Sequence, residues 1–411
     1  MSDLNCRFCN TKLQYSFADL GMSPLSNSYV ASDKLQAMEA FFPLHAYVCE
    51  QCFLVQLPEV EKPENIFSDY AYFSSFSDSW LAHCKKYVDM MVSRFSLNEG
   101  NQVVEIASND GYLLQYFQEY KIPVLGVEPA ANVAQVAVEK GVPSVVKFFG
   151  VQTAKELVAE GKKASVLLGN NVLAHVPDIN DFVGGMKILL EDDGVITMEF
   201  PHLLQQMENN QFDTIYHEHF SYLSFVAVKT IFESHGLRLF DVDEVSTHGG
   251  SLRIYGCHKD DSSKPTLSAA IEMLNREIDY GLTSIESYTK FAGQVNTTKR
   301  ELLKFLIQKK EEGKTLVGYG APAKGNTLLN YCGVRTDFLD YTVDRSPHKQ
   351  GTYLPGIHIP VYAPDKIKET KPDYVVILPW NLCDEVMEQV SYIREWGGKF
   401  VVFIPEVRVY E

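Results

Sequence analysis

The sequence predicts an α/β protein of three domains, and three observations carry that prediction. Two Cys-x-x-Cys pairs, Cys6/Cys9 and Cys49/Cys52, mark a small metal-binding module at the N-terminus. Residues Val103 to Pro129 read as a strand, a tight polar turn, a helix and a second strand tipped by Glu128, which together make one βαβ unit. From Lys314 a second α/β unit begins, with GYGAPAKGN following an apolar strand. The 411 residues are too many for one ordinary core and enough for two or three domains.

Composition narrows the function. A hydrophobic content of 45% with many aromatics belongs to a folded chain. A formal net charge of −16 without any Lys/Arg-rich block argues against nucleic acid and anionic membrane as partners. No apolar run reaches the length of a membrane span, and Met1 to Leu4 opens no signal peptide, so a cytoplasmic protein is expected. Nothing suggests an obligate dimer seam, so a monomer is expected.

Taken in order, the two N-terminal cysteine pairs can supply four thiolates to tetrahedral zinc. With four protein ligands the metal keeps no open position, so it is structural. The spacer between the pairs is long enough to hold its own small sheet. The alternatives are four free thiols or a redox Cys-x-x-Cys. A redox pair is expected once, beside a thioredoxin-like βαβ pattern, and none is visible. Pro58 to Glu64 reads as a linker or turn. Ser68 to Phe76, rich in hydroxyls and aromatic rings, suits either a sugar pocket or packing between domains, and an amphipathic helix follows from Trp80 to Phe95.

The turn after the strand at Val103 selects the nucleotide. A dinucleotide needs G-x-G-x-x-G, where its pyrophosphate touches the backbone. Here Ala107, Ser108 and Asn109 occupy that region and only Gly111 remains. S-adenosylmethionine carries a ribose and adenine but no phosphate, so its loop tolerates side chains. Asn109 and Asp110 can meet its amino-acid end, and Glu128 can accept from a ribose diol. An ordinary βαβ unit without ligand is the plainer alternative. The strand Ala164–Leu168 leads into GNNVLAHVPD, which puts Asn171 and His175 at the same crevice. Turn chemistry alone also explains the two asparagines.

The run FDTIYHEHFSYL packs Tyr216, His217, Glu218 and His219 between apolar flanks. Two histidines at i, i+2 can share a metal on a strand, but the i, i+4 helical zinc signature is missing. A general base is the better use, because imidazole titrates near neutral pH. Satisfied surface histidines beside a core tyrosine are the plainer reading. In HGGSLRIY, Arg253 can pair with a phosphate or a carboxylate. Apolar residues at helical spacing from Ile285 to Phe305 predict one or two long helices up to Glu312. In the last unit, Gly318, Gly320, Ala323 and Gly325 imitate a dinucleotide loop, Asp344 stands where a ribose acid would, and Lys324 suits a phosphate. Packing is the other use of those glycines.

The ordered set CRFC…CEQC, EIASNDG, GNNVLAHVPD, YHEHFSYLS, HGGSLRIYG and GYGAPAKGN resembles the sugar C-methyltransferases that act on nucleotide-linked 4-keto-deoxyhexoses in branched deoxysugar biosynthesis. The resemblance covers essentially the whole chain. It implies a zinc-binding domain (1–66), a central doubly wound S-adenosylmethionine methyltransferase domain (67–258) and a C-terminal Rossmann-like domain (259–411) without its own dinucleotide. It implies His219 as general base, Tyr216 and Glu218 meeting the sugar, and His175 and Tyr70 as active-site neighbours, the motif around Tyr70 being looser. Gly111, Glu128 and Asn171 match cofactor positions, and Glu105 and Asn109 of EIASNDG complete that set. Lys324 falls in a motif associated with the nucleotide, on which dTDP or GDP is the expected carrier.

The chemistry follows from the acceptor. A C–H bond becomes a nucleophile next to a carbonyl, where loss of the proton gives an enolate, and a 4-keto sugar supplies that carbonyl beside C3. His219 would take the proton, Tyr216 or His175 would donate to the enolate oxygen, and Glu218 would hold a sugar hydroxyl or orient an imidazole. The competing readings are an NAD-dependent nucleotide-sugar oxidoreductase or epimerase using the Gly318 region, an O- or N-methyltransferase on the same sugars, and a noncatalytic scaffold.

Overall fold

A computed structural model describes residues 4–61, 74–76 and 78–411. In the N-terminal module each cysteine pair closes a knuckle. The Cys6 carbonyl accepts the Asn10 N–H and the Cys49 carbonyl accepts the Phe53 N–H, both at 2.9 Å. Asn10 and Phe53 are left-handed (φ 60° and 59°), which turns the chain back so that both thiols of a pair face inward. The spacer does hold a sheet. It joins β1 (Tyr15–Ser23), β3 (Phe42–Val48) and, beyond the second knuckle, β4 (Val55–Gln56), with β3 pairing antiparallel to both β1 and β4, while the short β2 (Val30–Ala31) of the spacer stays outside it.

The central unit supplies β5 (Val103–Ile106), β6 (Val124–Val127), β7 (Ser144–Val145), β8 (Ala164–Asn170), β9 (Leu190–Pro201), β10 (Ser221–Tyr222), β11 (Leu237–Val245) and β12 (Ser251–His258). Seven of these form one sheet in the order β7-β6-β5-β8-β9-β12-β11, parallel except at β12. Every residue of β5, β6 and β8 is buried, as expected where helices cover both faces of a parallel sheet. The strand order reverses between β5 and β8, which opens a crevice at their carboxyl ends. β10 leaves this sheet and pairs antiparallel with β4, so the histidine-rich run is stitched to the N-terminal module.

The long helical stretch resolves into two helices, Ser268–Tyr280 and Ile285–Glu311. Gly281, at φ 100°, ends the first by a left-handed cap that a β-carbon would strain. The buried face of the second carries Tyr288, Phe291, Val295, Leu302 and Leu306. Phe291 stacks on Phe17 of β1 with centroids 4.6 Å apart, and one continuous apolar cluster joins β1, the 203–215 segment and the C-terminal sheet. That sheet is built from β13 (Leu316–Tyr319), β14 (Thr342–Val343), β16 (Val361–Tyr362), β17 (Tyr374–Ile377), β18 (Lys399–Val402) and β19 (Arg408–Tyr410), while β15 (Thr352–Tyr353) pairs with β2. Its order is β16-β14-β13-β17-β18-β19, parallel except at β19, so its own crevice opens between β13 and β17.

Candidate active site

At the carboxyl end of β5 the chain passes through Ala107, Asn109 and Gly111, all left-handed at φ 56°, 49° and 75°. At Gly111 a β-carbon would also stand 3.0 Å from Val142. The turn is held by Glu128, whose Oε2 accepts the Asn109 N–H and whose Oε1 accepts the Ala130 N–H, each at 2.9 Å. Glu128 thus builds the loop. Each carboxylate oxygen keeps a second lone pair for a ligand hydroxyl.

Beside it, Glu105 is fully buried, with the Tyr112 hydroxyl next to its carboxylate. Burial raises its pKa well above the usual carboxylate range, opposed by the nearby Tyr112 hydroxyl. Across the crevice, Asn170 Nδ2 and Asn171 Oδ1 are buried without hydrogen-bond partners among the described residues. Asn171 is left-handed (φ 53°), and its N–H donates to the Glu199 carbonyl at 2.7 Å. Buried polar atoms left unpaired at a switch point cost free energy unless a ligand meets them. A cofactor offering an ammonium, a carboxylate and a ribose, as S-adenosylmethionine does, fits this donor and acceptor set.

The histidine-rich segment separates its side chains by partner. His219 Nδ1 lies 3.0 Å from the Thr214 carbonyl, and a carbonyl only accepts, so Nδ1 carries the proton and Nε2 keeps its lone pair. Burial, with His175 alongside, holds this imidazole well below its ordinary pKa, so it is neutral at pH 7. The Tyr216 ring lies 4.0 Å from the His219 ring, and the His175 ring lies 4.7 Å away. His175 Nδ1 donates to the Glu218 carbonyl at 2.7 Å, and loss of hydration brings its pKa to about 4. A neutral His175 therefore has no proton on Nε2 to give. His217 turns the other way, with Nε2 on the Pro43 carbonyl at 3.2 Å, so the two histidines do not converge on a metal. Glu218 accepts from Asn27 Nδ2 at 2.7 Å. Thr214, not Glu218, holds the His219 ring.

The same segment reaches the C-terminal crevice. Asp213, fully buried, accepts from Trp380 Nε1 at 2.7 Å, and burial pushes its carboxyl up to about 6. Lys324 stands at the start of the helix Ala323–Cys332, donates to Asn381 Oδ1 at 2.6 Å and lies 4.4 Å above the Trp380 ring. Loss of hydration lowers its pKa to about 8, against the pull of Asp213. The Thr327 hydroxyl donates to the Ile215 carbonyl at 3.0 Å. His219 and Lys324 are thus carried on segments packed directly against each other.

Arg253 lies elsewhere. It pairs with the fully buried Glu199 at 2.9 Å and contacts His83, and Thr247 Oγ1 donates to Glu199 at 2.9 Å. Burial pushes the Glu199 carboxyl up, but His83 and Arg253 together bring it to about 2. The charge of Arg253 is thus met inside the fold by a carboxylate. Tyr70 and the rest of its aromatic stretch through Phe73 lie outside the described residues.

Thr214, Asp213, Trp380, Asn381 and Asn27 were not singled out by sequence. Trp380 and Asn381 follow β17 at the switch point, a position that would have flagged them. A main-chain carbonyl such as that of Thr214 leaves no sequence signal.

The four N-terminal sulfurs lie within 4.8 Å of one another, with closest pairs at 3.5–3.6 Å. Zinc–sulfur bonds of about 2.3 Å in a tetrahedron put sulfurs roughly 3.8 Å apart, so the cradle fits zinc. Gln56 Nε2 donates to Cys6 Sγ at 3.1 Å, which fixes one ligand from outside the metal's coordination sphere.

Comparison with known proteins gives three domain matches along the chain. A zinc binding domain matches residues 6–67, a methyltransferase domain 80–242, and a C-methyltransferase C-terminal domain 246–405. The C-methyltransferase NovU of Streptomyces niveus is 37% identical over 409 residues, covering 98% of this chain and 96% of that protein. Among solved structures, the PH0226 protein of Pyrococcus horikoshii OT3 gives a TM-score of 0.38 at 14% identity, over 48% of this chain and 99% of its own. Magnesium protoporphyrin IX methyltransferase of Synechocystis PCC 6803, with bound S-adenosylhomocysteine, gives 0.35 at 13%, over 43% and 83%. At those scores the structural likenesses carry no functional weight.

Proposed function

Because the chain belongs to the S-adenosylmethionine-dependent C-methyltransferases with a zinc-binding N-terminal domain, we propose that its acceptor is C3 of a nucleotide-linked 4-keto-deoxyhexose, carried on dTDP or GDP. Glu105, Asn109, Gly111, Glu128 and Asn171 form the proposed cofactor crevice. S-adenosylmethionine, when bound, supplies a methyl group on a positively charged sulfur.

The rest is work for the chain's own side chains. His219 Nε2 takes the proton from C3, and its Nδ1–H, fixed on the Thr214 carbonyl, keeps the ring in the basic tautomer. The Tyr216 hydroxyl donates to the oxygen on which charge develops. The Glu218 carboxylate accepts from a sugar hydroxyl. Lys324, at the C-terminal switch point, meets the diphosphate. His175 packs edge-on to the His219 ring and holds the 218 backbone, which is a positioning role.

The observation that carries this reading is the His219–Thr214 hydrogen bond: it fixes the proton of a neutral, buried imidazole on Nδ1 and leaves Nε2 with its lone pair. The test is mass spectrometry of products from a panel of nucleotide 4-keto-deoxyhexoses with S-adenosylmethionine. A carbon-bound methyl on one of them is expected. Methylation of oxygen or nitrogen only, or no product with any member, overturns the proposal.

A further inference from the structure

The zinc-binding domain reaches into the base-bearing segment at one side chain. Asn27 lies in the turn between β1 and β2 and is itself exposed, yet its Nδ2 donates to Oε1 of the buried Glu218 across 191 residues of sequence. Among the described residues it is the one side-chain donor to that carboxylate.

The turn is pinned on every side. The Leu25 carbonyl accepts Ser28 N–H at 3.1 Å, and the Asn27 carbonyl accepts Tyr29 N–H at 3.0 Å. The Tyr29 hydroxyl donates to the Ala321 carbonyl, in the loop that leads to Lys324. Val30 and Ala31 then pair with β15 of the C-terminal domain. On the other flank, His217 is held by the Pro43 carbonyl, and Ser221–Tyr222 extends the module's own sheet. A side chain anchored in this way has little freedom to lose when it orders a partner.

We propose that Asn27 is a positioning residue of the active site: the zinc-binding domain uses it to hold the Glu218 carboxylate in place and in its charged form. The inference rests on the role given to Glu218 in the proposed function. Burial raises the pKa of Glu218, and the amide N–H of Asn27 opposes that rise. Tyr29 also faces the carboxylate, His175 holds the Glu218 main chain, and His217 and His219 flank it in sequence.

The isosteric change Asn27→Asp separates a hydrogen-bond donor from a space filler. It keeps size and shape but sets two carboxylates against each other. With dTDP-4-keto-6-deoxyglucose as probe and at mildly alkaline pH, Asn27→Asp should lose about tenfold or more in kcat/KM, and more than Asn27→Ala. Affinity for S-adenosylhomocysteine should stay within about twofold, because Asn27 makes no contact with the central crevice.

Thermal unfolding reads the same contact without a substrate. The midpoint of Asn27→Asp should fall relative to wild type as pH rises through the carboxylate range. That penalty should vanish in the double variant Asn27→Asp/Glu218→Gln, where the introduced amide donates to the introduced carboxylate and the hydrogen bond runs in the reverse direction. An Asn27→Asp protein within about twofold of an active wild type overturns the inference, as does a pH-dependent penalty that persists with Glu218→Gln. If wild type leaves the probe unmethylated, that substrate assignment fails by itself. The unfolding cycle then decides for Asn27, with coupling supporting the inference and its lack overturning it.

Discussion

In the central unit the acid after the second strand, Glu128, takes the Asn109 amide; in the C-terminal unit Asp344 takes the Ala321 amide at 2.8 Å in the same way. The two crevices diverge at one register position. Glu105 pairs with Gly126, two residues before Glu128, and Gly318 pairs with Thr342, two residues before Asp344. A fully buried carboxylate at this position in one unit is matched by a bare backbone in the other.

The C-terminal glycines are used up by packing. A β-carbon on Gly318 would stand 2.6 Å from Thr342, on Gly320 2.5 Å from Pro379, and on Gly325 2.9 Å from Leu378. The loop amide is already capped by Asp344, and Pro322 has no N–H to offer a pyrophosphate. Two units with one topology can thus serve a charged cofactor and an anionic substrate tail, according to which side chains the loops carry.

Mutations that strike one crevice and spare the other test this division. The largest effect is expected between them: His219→Asn should cut turnover by about 10²–10⁴ while calorimetric affinity for S-adenosylhomocysteine is kept. Turnover close to wild type would remove His219 as the base. The imidazole's depressed pKa also sets the pH profile. The acid limb of kcat/KM should lie below the ordinary histidine range, because the basic form persists to lower pH.

In the central crevice, Glu105→Gln should weaken S-adenosylhomocysteine binding by about ten- to a hundredfold and leave dTDP affinity alone. Because burial raises the Glu105 pKa, pairing with the ligand ammonium should release a proton, so wild-type affinity should climb with pH above the ordinary carboxylate range. Calorimetry in buffers of different ionisation enthalpy reads that proton. Lys324→Ala should do the opposite of Glu105→Gln, weakening dTDP binding by about tenfold and sparing the cofactor. The smallest effect belongs to Asp344→Asn. The amide oxygen can still accept from Ala321 and only the bond from the Ser346 N–H, now 2.8 Å, is given up, so turnover should stay within about threefold of wild type. A much larger loss would return Asp344 to the role of a nucleotide-binding acid.

Much of this was legible in sequence where the signal is local. The four cysteines, the strand–turn–helix at Val103 and the long helical stretch follow from spacing and from left-handed turns. The histidine-rich run stood out as a candidate site because polar residues there interrupt apolar flanks. What stayed hidden is long-range. Ser221–Tyr222 is too short to read as a strand and pairs only because β4 waits for it. Asp213 meets Trp380 across 167 residues, and the orienting group for His219 is a main-chain oxygen. Arg253 was equally suited by type to phosphate or carboxylate, and its pairing with Glu199 depends on a neighbouring strand that local sequence does not announce.

The most direct measurement is hydrogen exchange at the sugar carbon. A nucleotide 4-keto-deoxyhexose that serves as substrate is incubated in deuterium oxide with enzyme and S-adenosylhomocysteine, so that no methyl is available. Wild type should wash deuterium into C3, and His219→Asn should not. Exchange at C3 that continues undiminished in His219→Asn, or a wild type that methylates without exchanging that position, contradicts the account.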